Sequence, residues 1–140
     1  MPTQMDVRDL MSTDLVTLTE DETLADAQRC MARGRIRHLP VVHDGRLVGL
    51  VTHRDLLAAS FSIFAEVEAS EQRRVFSNVP VVELMHRDVV TVSPDLGASQ
   101  TARILLENKY GCLPVVDEED RLLGIVTEAD FLRLMVRLLP

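Results

Sequence analysis

The amino-acid sequence predicts a mixed α/β (α+β) fold made of two copies of one β-α-β-β-α motif. A shift of 74 positions places Leu39-Pro40-Val41-Val42 on Leu113-Pro114-Val115-Val116. One extra residue in the next turn makes the shift 75, which aligns Gly49-Leu-Val-Thr52 with Gly124-Ile-Val-Thr127. Matches that keep their order through whole segments indicate an internal duplication. We assign residues 1–73 to the first copy with a helical connector and 74–140 to the second, together forming one domain.

Each copy is expected to open with a short strand, at residues 15–18 and 89–92, because both runs are rich in β-branched side chains. A helix with apolar positions three or four residues apart follows in each copy. Its inward positions are Leu24, Ala27 and Met31 in the first copy and Ala98, Ala102 and Leu105 in the second. Gly34 and Asn108 are expected to end these helices.

Two strands joined by a polar turn come next, at residues 39–42 and 47–52, and again at 113–116 and 122–127. A last helix begins after Thr52 and after Thr127. In the first copy this helix is predicted to continue through Phe64 and Val67 into a helical connector that breaks near residues 77–78. Short turns at residues 6–11 and 80–85 precede the two copies.

Composition and charge exclude several classes of protein. An apolar fraction of 46% is too high for a disordered chain, and a net charge of -7 argues against binding nucleic acid. No run approaches the roughly 18 apolar residues of a membrane span, and the first residues lack the features of a signal peptide. Cys30 and Cys112 are predicted to be small buried hydrophobes in a reducing compartment. We therefore expect a cytoplasmic protein without a nucleic-acid or membrane partner.

The repeated residues resemble the CBS motif, named after cystathionine β-synthase. They are an opening Leu-Met followed by Val-Thr, then Leu-Pro-Val-Val, then Gly-hydrophobic-Val-Thr-x-x-Asp, from about residue 7 to residue 134. The resemblance implies two motifs packed as a pseudo-two-fold pair, called a Bateman module, and two such pairs joined as a dimer. It also implies clefts between the motifs that bind AMP, ADP, ATP, S-adenosylmethionine or a related molecule. Similar modules regulate inosine monophosphate dehydrogenase, the AMP-activated protein kinase and chloride channels.

Thr52 with Asp55, and Thr127 with Asp130, are the principal candidate ligand-binding residues. Each threonine ends a strand and begins a helix, whose unpaired N–H groups attract phosphate. The carboxylate one turn later can accept hydrogen bonds from two neighbouring ribose hydroxyls. The same Thr-x-x-Asp spacing is also that of a capping box, and one residue can both cap a helix and bind a ligand.

Four further candidates lie on the predicted strands. Thr17 and Thr91 are expected inside the opening strands, either for their β-propensity or, as the resemblance implies, on the adenine or ribose side of the cleft. Pro40 and Pro114 lack an N–H group, which restricts them to an edge strand or a strand start and leaves a gap in the ladder. We expect these prolines to shape the cleft.

Arg37 and His38 belong to a dense basic cluster that also contains Arg33 and Arg35. A solvated face is the ordinary interpretation of such a run. The resemblance implies instead that a basic residue at this place reaches the ligand phosphates. The second copy has a single cation here, Lys109, so the two clefts are expected to differ electrostatically.

Catalysis and metal binding are not predicted. The four histidines lack the spacing of a zinc site, and the sequence has no nucleophile-and-base arrangement. Asp55 and Asp130 occupy equivalent places in two copies, which favours two ligand sites over one acid–base pair. The sequence therefore predicts a ligand-sensing regulatory module that is not an enzyme and requires no cofactor.

A homodimer is predicted from apolar surface. The last helix, residues 131–139, is apolar on nearly all sides, with one polar stripe formed by Arg133 and Arg137. The region of Phe61, Ile63 and Phe64 is similarly apolar. Monomers avoid such patches. The alternative function is a ligand-free structural or interaction module whose role is dimerisation.

Overall fold

The computed structural model describes residues 4–64 and 67–140, apart from the side chains of residues 63, 64 and 69. These residues form helices and two small sheets, so the mixed α/β class is confirmed. The elements in chain order are α1 (Val7–Leu10), β1 (Leu18–Thr19), α2 (Leu24–Gly34), β2 (His38–His43), β3 (Arg46–Thr52), α3 (His53–Phe64), α4 (Ala69–Asn78), a 3₁₀ turn (Val81–Glu83), α5 (Ala98–Asn108), β4 (Cys112–Val116), β5 (Leu122–Thr127) and α6 (Glu128–Leu138).

The chain divides into two compact units. The first unit is Val16–Val89, in which β1, β2 and β3 form one sheet in that order. The second unit is Val90–Pro140 together with the chain up to Leu15, and its sheet pairs β4 with β5. The predicted boundary between residues 73 and 74 divides the two copies of the repeat along the sequence, and it stays a prediction.

The short segment before each copy packs in the unit that contains the other copy. Helix α1 belongs to the second unit, where the Val7 side chain is fully buried and the Val7 N–H donates to the Leu96 carbonyl at 2.9 Å. The 3₁₀ turn belongs to the first unit, where Val81 is fully buried and its N–H donates to the Glu22 carbonyl at 2.7 Å. The two copies therefore exchange their opening turns.

The opening strands are shorter than predicted. Strand β1 pairs in parallel with β2 over two residues, and the second copy has a single parallel bridge between Val92 and Val115. Thr17 and Thr91 precede these pairings and are half-buried. The expectation that they lie inside strands is therefore wrong.

The prolines explain why these strands begin late. The Val92 N–H donates to the Pro114 carbonyl and the Val116 N–H donates to the Val92 carbonyl, both at 3.0 Å. The preceding rung of this parallel ladder would need an N–H on Pro114, which proline lacks. Pro40 is buried in β2, which lies between β1 and β3, so its expected restriction to an edge or a strand start is wrong. It is tolerated because its nitrogen faces the place where β1 has not yet begun.

Helices α2 and α5 end at Gly34 and Asn108, as predicted. The left-handed residue that closes each helix is the next one, Arg35 at φ 52° and Lys109 at φ 56°. The predicted inward face of α2 is confirmed by its buried residues. In α5 the buried residues are Thr101 and Leu105. Thr101 was not predicted to be buried because it carries a polar hydroxyl. That hydroxyl donates to the Gly97 carbonyl at 2.9 Å, which allows its burial.

The connector is helical but is not one continuous helix. Val67 lies in a bend, and Glu68 has an extended conformation with ψ 157°, so a separate helix, α4, begins at residue 69. Helix α4 contributes Phe76, almost fully buried, to the core of the first unit. It ends at Asn78 as predicted, two residues before Pro80.

The two cysteines differ in burial. Cys112 is buried at the start of β4, and desolvation by burial raises the pKa of its thiol to about 12. Cys30 is only partly buried, so the prediction of a buried side chain is confirmed for Cys112 alone. Within the described residues, no helix has both the length and the apolarity that crossing a bilayer requires.

Candidate ligand-binding sites

The first candidate site is the junction between β3 and α3. Thr52, the last residue of β3, donates from its N–H to Asp55 Oδ2 at 3.0 Å and from its hydroxyl to the same oxygen at 2.7 Å. The Asp55 N–H in turn donates to the Thr52 hydroxyl oxygen at 3.2 Å. This reciprocal pattern is a capping box, so the capping interpretation is confirmed.

The second candidate site is the equivalent junction between β5 and α6. The Thr127 N–H donates to Asp130 Oδ2 at 2.8 Å, and the Thr127 hydroxyl donates to the same oxygen at 3.3 Å. Each unit thus uses one carboxylate oxygen to hold the threonine that begins the helix. The other oxygen of each carboxylate has a different partner in the two units.

Asp55 Oδ1 lies 3.0 Å from Nε2 of His86, whereas Asp130 Oδ1 accepts from a terminal nitrogen of Arg133, also at 3.0 Å. The side chains of Asp55 and Asp130 are 19% and 13% exposed, so both are mostly buried but remain partly accessible. Burial alone would raise the pKa of Asp55, but hydrogen bonds from Thr52 and His86 outweigh it and hold that pKa below its usual value. Asp55 is therefore an ionised acceptor at neutral pH.

A third Thr-x-x-Asp sequence shows that the capping geometry is not specific to these junctions. The Thr23 N–H donates to Asp26 Oδ2 at 2.9 Å at the start of α2, and Arg29 pairs with the other oxygen of Asp26. This cap follows a loop after β1, not a strand of the β2–β3 hairpin. Asp26 is consequently a matched control for helix capping without an expected ligand.

The structure places His38 beside the first junction, because His38 is opposite Thr52 in the register of β2 and β3. Arg37 precedes His38, is exposed, and accepts the His53 N–H on its carbonyl at 2.8 Å. In the described part of the chain, no hydrogen bond or ion pair joins the Arg37 side chain to Asp55. Arg37 lines a groove of about 360 Å³ between α2 and α3.

The remaining predicted residues lie at matching places in the two units. Pro40 is opposite Leu50 in the first sheet, and Pro114 is opposite Ile125 in the second. Thr17 and Thr91 lie just before the residues that pair with β2 and β4. Among the described residues, no hydrogen bond joins either threonine to Asp55 or Asp130, so the contribution of these threonines to a site stays a prediction.

Sequence reasoning missed His86 and Arg133 as neighbours of the carboxylates. Arg133 could have been found, since its place three residues after Asp130 on a helix favours an ion pair. His86 is 31 residues from Asp55 in sequence, so its contact depends on the exchanged opening turn. Among the described residues, no group of three or more histidine, cysteine, aspartate or glutamate side chains is arranged to hold a metal ion.

Comparison with known proteins adds a family match. The model of the CBS domain matches residues 7–62 and 79–137. The chain is 39% identical over 129 residues to an uncharacterized protein of Methanocaldococcus jannaschii, a match that covers 91% of this chain and 46% of that protein. The chain thus spans about half the length of this relative.

Two solved structures with bound adenosyl compounds are similar to the chain. The structure of CBSX2 in complex with AMP has a TM-score of 0.80 and 29% identity, covering 96% of this chain and 98% of that one. The CBS domain pair of protein MJ0100, in complex with 5′-methylthioadenosine and S-adenosyl-L-methionine, has a TM-score of 0.80 and 26% identity, with coverage of 96% and 98%.

Proposed function

Because the chain belongs to the CBS domain family, we propose that it is a ligand-sensing regulatory module that binds an adenine nucleotide or S-adenosylmethionine and catalyses no reaction itself. AMP, ADP and ATP are the nucleotides considered. The ligand acts as a regulatory molecule, not as a required cofactor. Binding of this ligand would change the activity of a partner protein.

One observation carries this proposal. Both units place a carboxylate, mostly buried but still partly exposed, at the point where a hairpin strand becomes a helix. An ionised carboxylate has about four lone-pair positions, and capping uses only part of them. Each carboxylate can therefore cap its helix and still accept a hydroxyl of a sugar. The two similar structures that contain adenosyl compounds support this choice of ligand.

The proposed roles of the residues follow from their positions. Asp55 and Asp130 accept ribose hydroxyls, and Thr52 and Thr127 hold these carboxylates in place at the helix starts. His38 lies next to Thr52 and would face the ligand from β2. The further proposed contacts are made by Thr17, Thr91, Arg37, Pro40 and Pro114.

A thermal-shift screen tests the proposal. A ligand that binds only the folded chain stabilises it by about 2.7 kcal/mol at a concentration of 100 times Kd. AMP, ADP, ATP, adenosine and S-adenosylmethionine should therefore include at least one compound that raises the melting temperature, whereas inorganic phosphate should not. Asp26→Ala should keep this response because it removes only a helix cap. A screen without any response, together with no adenosyl compound in the mass spectrum of the purified protein, would reject the proposal.

We also propose that the protein is a homodimer. Helix α6 directs Phe131 and Leu134 towards the core of the second unit, yet Val136 on the same helix is 78% exposed. Helices α5 and α6 form an apolar groove of about 510 Å³. In the first unit Phe61 is exposed as well, whereas the predicted contributions of Ile63 and Phe64 lie outside the described side chains. A second copy of the chain is the simplest partner to cover these faces.

Light scattering tests the dimer, with Val136→Glu as the variant that should dissociate it. A monomer at micromolar concentration in the unmodified protein would contradict the proposal. A stable dimer that binds no adenosyl compound would instead favour the alternative function, a structural or interaction module. The cytoplasmic location also remains a proposal, and the two free cysteines support it.

A further inference from the structure

The partner of the outer carboxylate oxygen differs between the two copies of the repeat. His86 contacts Asp55, and the residue equivalent to His86 in the other copy is Ser12. Arg133 contacts Asp130, and the residue equivalent to Arg133 in the other copy is Ala58. The Asp55 carboxylate thus has as its partner an imidazole from the exchanged opening turn, whereas the Asp130 carboxylate has a guanidinium from its own helix.

Backbone pairing fixes the position of His86. Its N–H donates to the Leu50 carbonyl at 2.9 Å, and its carbonyl accepts the Leu50 N–H at 3.0 Å. Ser12 is held in the same way by Ile125, with distances of 2.8 and 3.0 Å. The imidazole therefore approaches Asp55 from a fixed main chain, and a substitution of the side chain leaves this pairing available.

A count of lone pairs shows that these partners compete with a ligand. Asp55 Oδ2 already accepts two hydrogen bonds from Thr52, and Oδ1 accepts one from His86. About one of the four lone-pair positions is left, whereas two neighbouring ribose hydroxyls need two acceptor positions. Full acceptance of a ribose therefore requires the imidazole to leave Oδ1. The same count at Asp130 requires Arg133 to leave.

The two competitors differ in charge. An imidazole gains or loses its charge between about pH 5 and 8, and its charged form adds a Coulombic attraction to a carboxylate that its neutral form lacks. A guanidinium stays charged throughout this range. Asp55 faces His86 from α3, Leu50 of β3 pairs with His86 through the main chain, and Arg87 adjoins His86 on its own segment.

We propose that His86 and Arg133 are positioning residues that compete with the ligand ribose, so that binding at Asp55 depends on pH and binding at Asp130 does not. This inference rests on the proposed function. At low pH the charged imidazole holds Asp55 more firmly, and adenosine, which has no phosphate to attract the cation, binds more weakly. The expected loss at Asp55 between pH 8 and pH 5.5 is roughly five- to tenfold.

Calorimetry with adenosine tests the inference one site at a time. Asp130→Ala leaves the Asp55 site, whose affinity should fall at pH 5.5 and which should release protons when it binds adenosine. His86→Ser, which installs the equivalent residue of the other copy, should abolish both effects in that background. Asp55→Ala leaves the Asp130 site, where the affinity should not depend on pH and Arg133→Ala should tighten binding at every pH.

The outcomes separate this inference from the proposed function. Adenosine binding that is equally strong at both pH values in the Asp130→Ala protein would overturn the competition by His86 while leaving ligand binding intact. A pH dependence that survives His86→Ser, in a protein with unchanged melting temperature, would also overturn it. Absence of adenosine binding by the unmodified protein at both pH values would reject this inference, and absence of binding by every adenosyl compound of the thermal-shift screen would reject the proposed function as well.

Discussion

Replacing Gly124 by alanine should destabilise the second unit through the exchanged opening turn. An alanine Cβ at this position would lie 2.9 Å from the carbonyl oxygen of Ser12 and 2.7 Å from Sδ of Met11. The methionine side chain can rotate away, but the Ser12 carbonyl is main chain and accepts the Ile125 N–H at 3.0 Å. Relief of the clash therefore requires the opening turn to move away from β5.

The expected cost combines two effects. Overpacking of this kind costs about 1–3 kcal/mol, and breaking one of the two backbone hydrogen bonds between Ser12 and Ile125 adds about 1 kcal/mol. We expect the free energy of unfolding to fall by roughly 2–4 kcal/mol, a large part of the 5–15 kcal/mol typical of a domain.

Urea denaturation followed by circular dichroism measures this change as a lower midpoint. Gly34→Ala is the matched control, since the atoms nearest its Cβ would belong to the Ile36 side chain, at 3.5 Å, and we expect no loss of stability. Gly49→Ala should act in the first unit as Gly124→Ala does in the second, because its Cβ would lie 3.1 Å from the His86 carbonyl. A Gly124→Ala protein within about 0.5 kcal/mol of the unmodified one would refute the exchange of opening turns.

Three further changes test separate parts of the account. Gly45→Ala should cost about 1 kcal/mol in urea denaturation: Gly45 has φ 80° in the β2–β3 turn and no atom within 4 Å of the added Cβ, so the whole cost is conformational. The lowered pKa of Asp55 stabilises the folded state above about pH 4, and this contribution is lost as the pH falls through the folded-state pKa. The free energy of unfolding of Asp55→Asn should therefore depend less steeply on pH in the acid range than that of the unmodified protein. Arg37→Ala should weaken binding of ATP more than binding of adenosine in calorimetry, because a guanidinium contributes to phosphate recognition; equal losses for both ligands would count against that role.

Local patterns predicted most of the secondary structure. The β2–β3 turn shows why: Asp44 and Gly45 both have positive φ, which is the conformation that an Asp-Gly pair favours in a two-residue hairpin. The strand–helix junctions at Thr52 and Thr127 were equally local, since each depends on a side chain three residues away. Such features are determined within a few residues and are therefore visible in sequence.

The features that sequence missed depend on distant partners. The exchange of opening turns follows from packing of Val7 and Val81 against residues far along the chain, which no periodic pattern encodes. Predicting the late start of β1 would have required knowledge of the direction in which the nitrogen of Pro40 points. His86 could not be assigned to Asp55 because that contact exists only after the exchange.

The proposed function requires the carboxylates of Asp55 and Asp130 to bind an adenosyl ligand in addition to capping α3 and α6. Calorimetric titration with AMP tests it most directly, on the unmodified protein, on each single alanine variant, on the double variant and on Asp26→Ala. Each single variant should lose one of up to two sites per chain or weaken it about ten- to a hundredfold, because it loses hydrogen bonds to a charged acceptor worth roughly 1.5–3 kcal/mol. We expect the double variant to bind AMP at least about ten- to a hundredfold more weakly than the unmodified protein, and Asp26→Ala to bind it unchanged. A folded double variant that binds AMP as tightly as the unmodified protein would show that both Thr-x-x-Asp pairs are helix caps alone.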